Sequence, residues 1–430
     1  MRVLVAGVLV ALGACSSILD VKNPNDVSES ALDKPVAAQS LTNAILASTV
    51  RMLSGTTTPY SVATDELDWI GSRDAWNDLE TGGIANYLNE FTDGAFPYVG
   101  EARYLGDAGI LRLEGFDANS QLSNRALLAQ SYLYTAIVYA SIADMYDDFA
   151  FSEKTVNKAP IGRANMGTMY DKAVTYLDKA LVIANAGTDN TLKYQILSYR
   201  ARVKHAKGVW AKITPKGAVN TANPLVADAN GMIADATAAI ALGSVDQKFT
   251  IFDNIEAKAG INIWFEVNGR NESATGTVYR TLIDPVSGTR DPTSAALLAQ
   301  FVAFGTQSGT FTMTSTRELR LILAEAALAT GAGGIPEFTN QLNQVRALDG
   351  KPAWTGTPAA QTMLAYERQS QLWLMRRRLS DMYRFNQKDT KWANNPNFES
   401  AFSTSGLLFP IPNVERLGNP CITAPTTPGC

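Results

Sequence analysis

The sequence predicts a mainly α-helical chain: a frame of paired, tetratricopeptide-like helices interrupted by two loop-rich insertions. Three observations lead there. Apolar residues recur at the helical period, as in residues 318–328, where Leu319, Ile322, Leu323 and Ala326 fall at i, i+3, i+4 and i+7. In residues 169–186, Ala173, Tyr176, Leu177, Ala180 and Leu181 alternate small and large on one face, the spacing with which a repeat helix receives its neighbour. Two segments, about 54–122 and 243–315, lose sustained period and gather Asp, Asn, Gly, Trp and Tyr instead.

In chain order, residues 31–53 form an Ala-rich apolar helix that Ser54-Gly55 and the Thr56–Pro59 run should end. Residues 123–147 form one long helix with Leu127, Leu128, Tyr132, Ile137 and Ile142 on its apolar side; its end, Asp144 to Asp148, reads as a solvated terminus. Residues 169–213 form a helix pair across Gly187-Thr188-Asp189-Asn190, with His205 as a polar scaffold residue on the second helix. Residues 229–242 add a further helix. In the second insertion, Ile261 to Val267 has a β-like look and residues 295–304 a short helix. Residues 316–385 close the array. There 366–385 reads as one helix carrying Leu372, Met375, Leu379 and Met382 along one side. Arg377 and Arg378 lie four and three residues before Asp381, within pairing distance across one turn. Such apolar faces are too wide to leave in water, so the helices must pack on one another. Insertions into such an array gather on one face, often the binding face.

Composition narrows the chemistry. The chain has 430 residues, 46% of them hydrophobic, enough for a large core. Its net charge of -4 argues against a nucleic-acid partner. A single His rules out a zinc site built on histidines, and the Cys residues at 15, 421 and 430 leave the long middle of the chain without a thiol. Cys421 and Cys430 either close a small loop in an oxidising compartment or stay free; geometry decides. There is no G-x-G-x-x-G, G-x-S-x-G or Walker A pattern, no cofactor motif, and nothing that singles out a carboxylate pair. No catalytic residue and no metal ligand is assigned, and the chain reads as a binding protein rather than an enzyme.

At the N-terminus, Met1-Arg2 precedes an apolar run of about ten residues, too short to span a bilayer, and then Leu12-Gly13-Ala14-Cys15. This resembles a bacterial lipobox, which implies a signal peptide over 1–14, lipidation of Cys15 and a tether over 15–30. Each buried acyl methylene then contributes about 0.8 kcal/mol to membrane anchoring. Ser16, rather than Asp, fits outer-membrane sorting.

Near the C-terminus stand Ala324-Glu325-Ala326, Leu342-Asn343 with Val345-Arg346, Glu367-Arg368 with Leu372, Arg378, Asp381 and Arg384, then Pro410-Ile411-Pro412 with Glu415, and Asn419-Pro420. In that order and spacing they resemble the C-terminal pattern of the SusD/RagB family of outer-membrane nutrient-binding lipoproteins. The chain departs from the pattern at Met375-Arg376, where the family usually has Glu-Gly, and at Gln371, where it usually has an acid. The resemblance implies a SusD-like fold of about four helical repeat units, over 31–430 as a single domain. It implies a lipid-anchored protein of the Gram-negative outer membrane, facing outward, that captures oligosaccharide and passes it to a TonB-dependent (SusC-like) transporter.

Sugars are held by aromatic faces under their C–H surfaces and by planar polar groups matching their hydroxyls. The insertions offer Trp69, Trp76, Tyr98 and Trp264 as platforms, and Arg73, Asn77 and Asn268 as hydrogen-bonding partners. Trp373 belongs to the scaffold; Trp210, Trp354 and Trp392 stay unassigned. The glycan reading predicts aromatic side chains exposed together on the insertion face. A lipid-anchored adaptor for a protein or peptide predicts instead an apolar groove on the repeats, and a hydrolase predicts two carboxylates facing each other across a cleft.

Overall fold

A computed structural model describes residues 29–153, 156–253, 262–306, 308–330, 334–424 and 430. Cys15 and the leader lie outside the described residues, as does all of the tether before Glu29. The chain starts with a short helix, α1 (Glu29–Leu32), and a long one, α2 (Ala38–Val62). The expected stop at Leu53 does not occur. Thr56 and Thr57 are buried, and their hydroxyls donate to the carbonyls of Met52 (2.7 Å) and Leu53 (2.6 Å). Burial with satisfied side chains thus carries poor helix formers through another two turns.

After β1 (Leu67–Trp69) and α3 (Asp74–Glu80) comes α4 (Glu90–Ala118), a helix of 29 residues where an irregular insertion was expected. Asn89 caps it, accepting from the backbone of Phe91 and Thr92. Its glycines broke the sequence period, yet two of them are contact points. A Cβ at Gly106 would lie 2.7 Å from Thr135, and one at Gly109 2.7 Å from Ile45. Glycine lets α4 approach its neighbours closely, which outweighs the helix-propensity cost of about 1 kcal/mol each.

Next come α5 (Ala126–Met145), α6 (Gly167–Ala186), α7 (Asn190–Ile213) and α8 (Met232–Leu242), close to the expected spans. α5 is long and apolar enough to cross a membrane, but it is a core helix, 83% buried inside the protein. The second insertion holds β2 (Lys248–Asp253), a π-helical turn (Phe265–Gly269), β3 (Ser273–Thr275), α9 (Thr277–Arg280), α10 (Pro292–Ala303) and β4 (Gly309–Ser315). The β-like run expected at 261–267 is instead helical over its described part. Asn262 accepts from the backbone of Trp264 and Phe265 and starts the turn. Two small antiparallel sheets form: β1 pairs with β3 (Leu67 opposite Thr275), joining the two insertions, and β2 pairs with β4.

The chain closes with α11 (Thr316–Ala329), α12 (Gly334–Leu348), α13 (Ala360–Gln371), α14 (Arg378–Arg384), α15 (Asn413–Gly418) and α16 (Pro420–Thr423). The helices stack in a row: α2 on α4 and α5, α5 on α6, α6 on α7, α7 on α8, α8 on α11, and α11 on α12 and α13. This is the helical-repeat frame that the periodicity predicts, and most of its apolar side chains merge into one continuous core.

The expected single helix over 366–385 breaks at residues 372–377. Leu374 and Arg376 have φ of 59° and 60°, a left-handed region that favours glycine. A glycine at either position would take this backbone without strain. Arg377 and Arg378 therefore do not pair with Asp381. Arg377 reaches Glu318 (2.7 Å), Arg378 reaches Asp65 (2.6 Å), and Asp381 pairs with Arg368 and Arg384, each at 2.8 Å. Trp354 and Trp392 are scaffold residues, their indoles buried and donating to the carbonyls of Pro358 (2.8 Å) and Ala63 (3.2 Å). Cys421 and Cys430 form a disulfide.

The close approach of α4 is testable. Gly106→Val should lower the unfolding free energy by about 1–3 kcal/mol, the usual cost of overpacking, read as a lower urea midpoint. An unchanged midpoint would mean that α4 and α5 lie farther apart.

Candidate functional site

The acid-rich run 65–80 lies where the two insertions meet, and its carboxylates are spent on building a platform. Asp65 takes Arg378. Glu66 accepts from the Leu374 backbone (2.6 Å) and Ser61 (3.1 Å), pinning the left-handed turn. Burial pushes its carboxyl up to about 7. Asp68 accepts from the Thr277 backbone (2.8 Å) and pairs with Lys391 (2.8 Å) and Arg280 (3.0 Å). Burial acts to raise the Asp68 pKa, but the bonds from Lys391 and Thr277 prevail and hold it below the usual carboxylate range. Glu80 accepts from the Trp69 backbone at 2.8 Å. Glu272, from the second insertion, accepts from the backbone of Ser72 (3.1 Å) and Arg73 (3.3 Å).

On this platform Trp69 is half-buried at the end of β1, Ile70 beside it is 57% exposed, and Asn77 is exposed on α3. The Arg73 guanidinium lies 4.6 Å from the Phe91 ring centroid and 2.9 Å from Glu90, with its side chain 38% exposed. Neighbouring elements therefore carry a guanidinium, a carboxylate and an amide at the surface, beside one partly open side of an indole whose body packs on the core and whose Nε1 is buried.

Two expected platforms are removed from it. Trp76 is fully buried and stacks on Phe91, with centroids 3.4 Å apart and planes 8° off parallel. Its ring thus supports the Arg73 site from beneath rather than meeting a ligand. Trp264 is also buried, among Phe301, Phe304 and Phe311, its indole lying across Gly309. Asn268 donates to the carbonyls of Phe301 (3.2 Å) and Gly305 (2.7 Å), tying down the end of α10. Tyr98 is half-buried on α4 with Arg51 over its ring at 5.9 Å. Trp69, Arg73 and Asn77 are the expected residues that stay half-buried or exposed on β1, the loop after it and α3. Glu90, Phe91, Glu272 and Lys391 complete the arrangement, and no local pattern marked them, because they meet the run only through tertiary contact.

The carboxylates at the end of α5 are not solvated, as the sequence suggested. Asp144 pairs with Arg202 and accepts from Tyr170 (2.9 Å), Asp147 pairs with Arg163, and Asp148 accepts from the backbone of Phe149 and Gly162, each at 2.8 Å. They serve structural bonds rather than an acid/base pair. His205 is a buried scaffold residue whose Nε2 lies 2.9 Å from Glu325. Among the described residues, no cluster of three or more His, Cys, Asp or Glu side chains converges as a metal site would require.

No family model and no curated protein matches the sequence. Solved structures do match the architecture. A SusD homolog from Bacteroides thetaiotaomicron superposes with a TM-score of 0.61 at 11% identity, covering 91% of this chain and 98% of its own. The fold is that of the SusD superfamily. A SusD-like protein from Bacteroides fragilis gives 0.60 at 10% identity, covering 92% and 98%. A SusD-like carbohydrate-binding protein from Bacteroides vulgatus gives 0.58 at 12% identity, covering 90% and 97%. The SusD-like frame thus runs through about nine-tenths of the chain, at identities that speak for architecture and not for ligand.

Burial of Glu66 makes stability depend on pH. Its folded pKa of about 7 lies above the 4.5 of an ordinary glutamate. Its contribution is therefore complete below about pH 4.5 and is lost as pH rises through about 7. At about 1.36 kcal/mol per unit, the loss is on the order of 3 kcal/mol. Glu66→Gln should flatten the stability profile between pH 4.5 and 7 and be the more stable form at pH 8, as chemical denaturation would show. An unchanged slope would place the pH dependence elsewhere.

Proposed function

We propose that this chain is a surface lipoprotein that binds oligosaccharide or a related nutrient and delivers it to a TonB-dependent outer-membrane transporter, with no catalytic step of its own. The observation that carries the reading is the SusD-like fold over nearly the full length of both partners in each comparison. One of those structures is named as carbohydrate-binding. The lipobox-like Leu12-Gly13-Ala14-Cys15 supports an anchor at Cys15, and the open face at Trp69, Arg73 and Asn77 supplies the chemistry a sugar needs. The indole offers a C–H-binding surface, while the guanidinium and the amide present fixed donors to vicinal hydroxyls. Binding there would need little reorganisation, because Glu80 and Glu272 already hold the backbone of Trp69, Ser72 and Arg73.

Affinity electrophoresis through a panel of polysaccharides tests this. At least one glycan should retard the wild-type protein. Arg73→Ala should weaken that interaction by roughly tenfold or more, as losing a charge-assisted hydrogen bond of about 1.5–3 kcal/mol requires, and Trp69→Ala should weaken it comparably. Cys15→Ser should move the protein from the membrane to the soluble fraction. Retardation by no glycan, or full retardation of both face variants, would overturn the assignment of this face.

A further inference from the structure

A groove of about 330 Å³ runs between α8, α11 and α12, in the helical frame rather than on the insertions. Ile233, Ile240, Leu323 and Ala327 line it with aliphatic surface, and Arg320 and Glu337 bring charge. Arg320 stands apart from the other arginines of this region. Arg317, one turn earlier on α11, is saturated by Asp246 (2.7 Å), Asp349 (2.7 Å) and Gln371 (2.9 Å). Arg346, on α12, is held by Asp284 and Glu367. Arg320 pairs with no carboxylate among the described residues. Its Nη1 donates to Gln341 at 2.9 Å, and its buried Nε has no hydrogen-bond partner among the described residues. The nearby acid, Glu337, is engaged by Gln341 (2.7 Å) and Asn340 (3.3 Å). Burial accordingly pushes the Arg320 guanidinium down, with Glu337 as the opposing influence. A half-desolvated cation with no carboxylate in ion-pairing distance among the described residues, only Glu337 acting on it from across the groove, and set among aliphatic side chains, is complementary to a carboxylate flanked by aliphatic groups.

We propose that this groove docks a peptide segment of a partner protein, with an acidic side chain on Arg320 and flanking aliphatic side chains on Ile233, Ile240 and Leu323. The guanidinium of Arg320, left without a direct ion pair, selects an acidic segment over a neutral one. The groove is an open trough between helices, the form in which helical scaffolds take side chains of a bound segment rather than enclose a small molecule. Thr237, exposed along the lining, offers a hydroxyl to the peptide backbone, while the exposed Thr330 hydroxyl already donates to the Ala327 carbonyl (3.0 Å) and can only accept. The site is separate from the Trp69–Arg73–Asn77 face, so the two can be occupied independently.

Fluorescence polarisation with a labelled peptide, one Asp flanked on each side by two Leu residues, tests the proposal against the same peptide with Asn for Asp. The Asp peptide should bind the full chain at least about tenfold more tightly, equivalent to about 1.4 kcal/mol. Arg320→Gln should bring the two peptides level. Thr237→Glu, at an exposed position and therefore without cost to folding, should weaken the Asp peptide by about tenfold through like charge. A melting temperature unchanged in both variants confirms that folding is not the cause. Equal affinities for the two peptides, no binding up to millimolar peptide, or competition by laurate with peptide binding unaffected in both variants would overturn it. So would self-association of the chain that Thr237→Glu abolishes, since that would assign the groove to a second copy.

Discussion

A buried ionic lattice holds the two ends of this chain together, and the rest of the structure depends on it. Asp65 and Arg378 are 313 residues apart in sequence and bonded at 2.6 Å in the interior. Glu318 meets Arg377, Asp381 meets Arg368 and Arg384, and Glu325 meets Arg384, His205 and the Val226 backbone. Taking such charges out of water costs several kcal/mol per ion, and their attraction does little more than offset that. The lattice is therefore better understood as selecting a structure than as adding net stability. Each member left without its partner would be an unpaired buried charge, so alternative packings of the same helices are penalised heavily.

What the lattice selects is the position of the 372–377 turn. Its left-handed residues are held from several sides: Glu66 takes the Leu374 amide, Glu66 carbonyl oxygen takes the Trp373 indole, and Arg376 reaches Thr57 at 3.2 Å. Arg376 is the oddity. It is buried at a left-handed position, its Nε has no partner among the described residues, and burial pushes its guanidinium down to about 10. A glycine there would avoid both the backbone strain and the desolvated charge. Because Glu66 immediately precedes β1, fixing the turn also fixes the strand, the β1–β3 pairing, and with them the loop that presents Trp69 and Arg73. The interior chemistry and the surface face are thus one mechanical unit.

Much of the frame was legible in the sequence. α6, α7, α8 and α11 carry clean helical periods because each buries one face and wets the other, as at Tyr176–Leu177–Ala180 and Leu319–Ile322–Ala326. The helix α4 was illegible for a physical reason. Its glycines contribute nothing to a hydrophobic period, yet Gly106 and Gly109 are where it touches Thr135 and Ile45. The continuation of α2 was hidden likewise, since hydroxyl side chains such as Thr56 and Thr57 carry their own back-bonds into the core. The break after Gln371 was invisible because it is imposed by Asp65, Glu66 and Glu318 from remote parts of the chain. The same limit applied to the face. Composition located the insertions, but only three-dimensional contact separates exposed Asn77 and half-buried Trp69 from Trp76 and Trp264 in the core.

The most direct test of the lattice is a double-mutant cycle at Asp65 and Arg378, with stability measured by chemical denaturation of Asp65→Asn, Arg378→Met and the double variant. Each single change should cost about 3–5 kcal/mol by leaving a buried charge unpaired, and the double variant should lose far less than the sum. Losses that add to within about 0.5 kcal/mol would show the two residues to be uncoupled, and the lattice would not be what joins the ends of the chain.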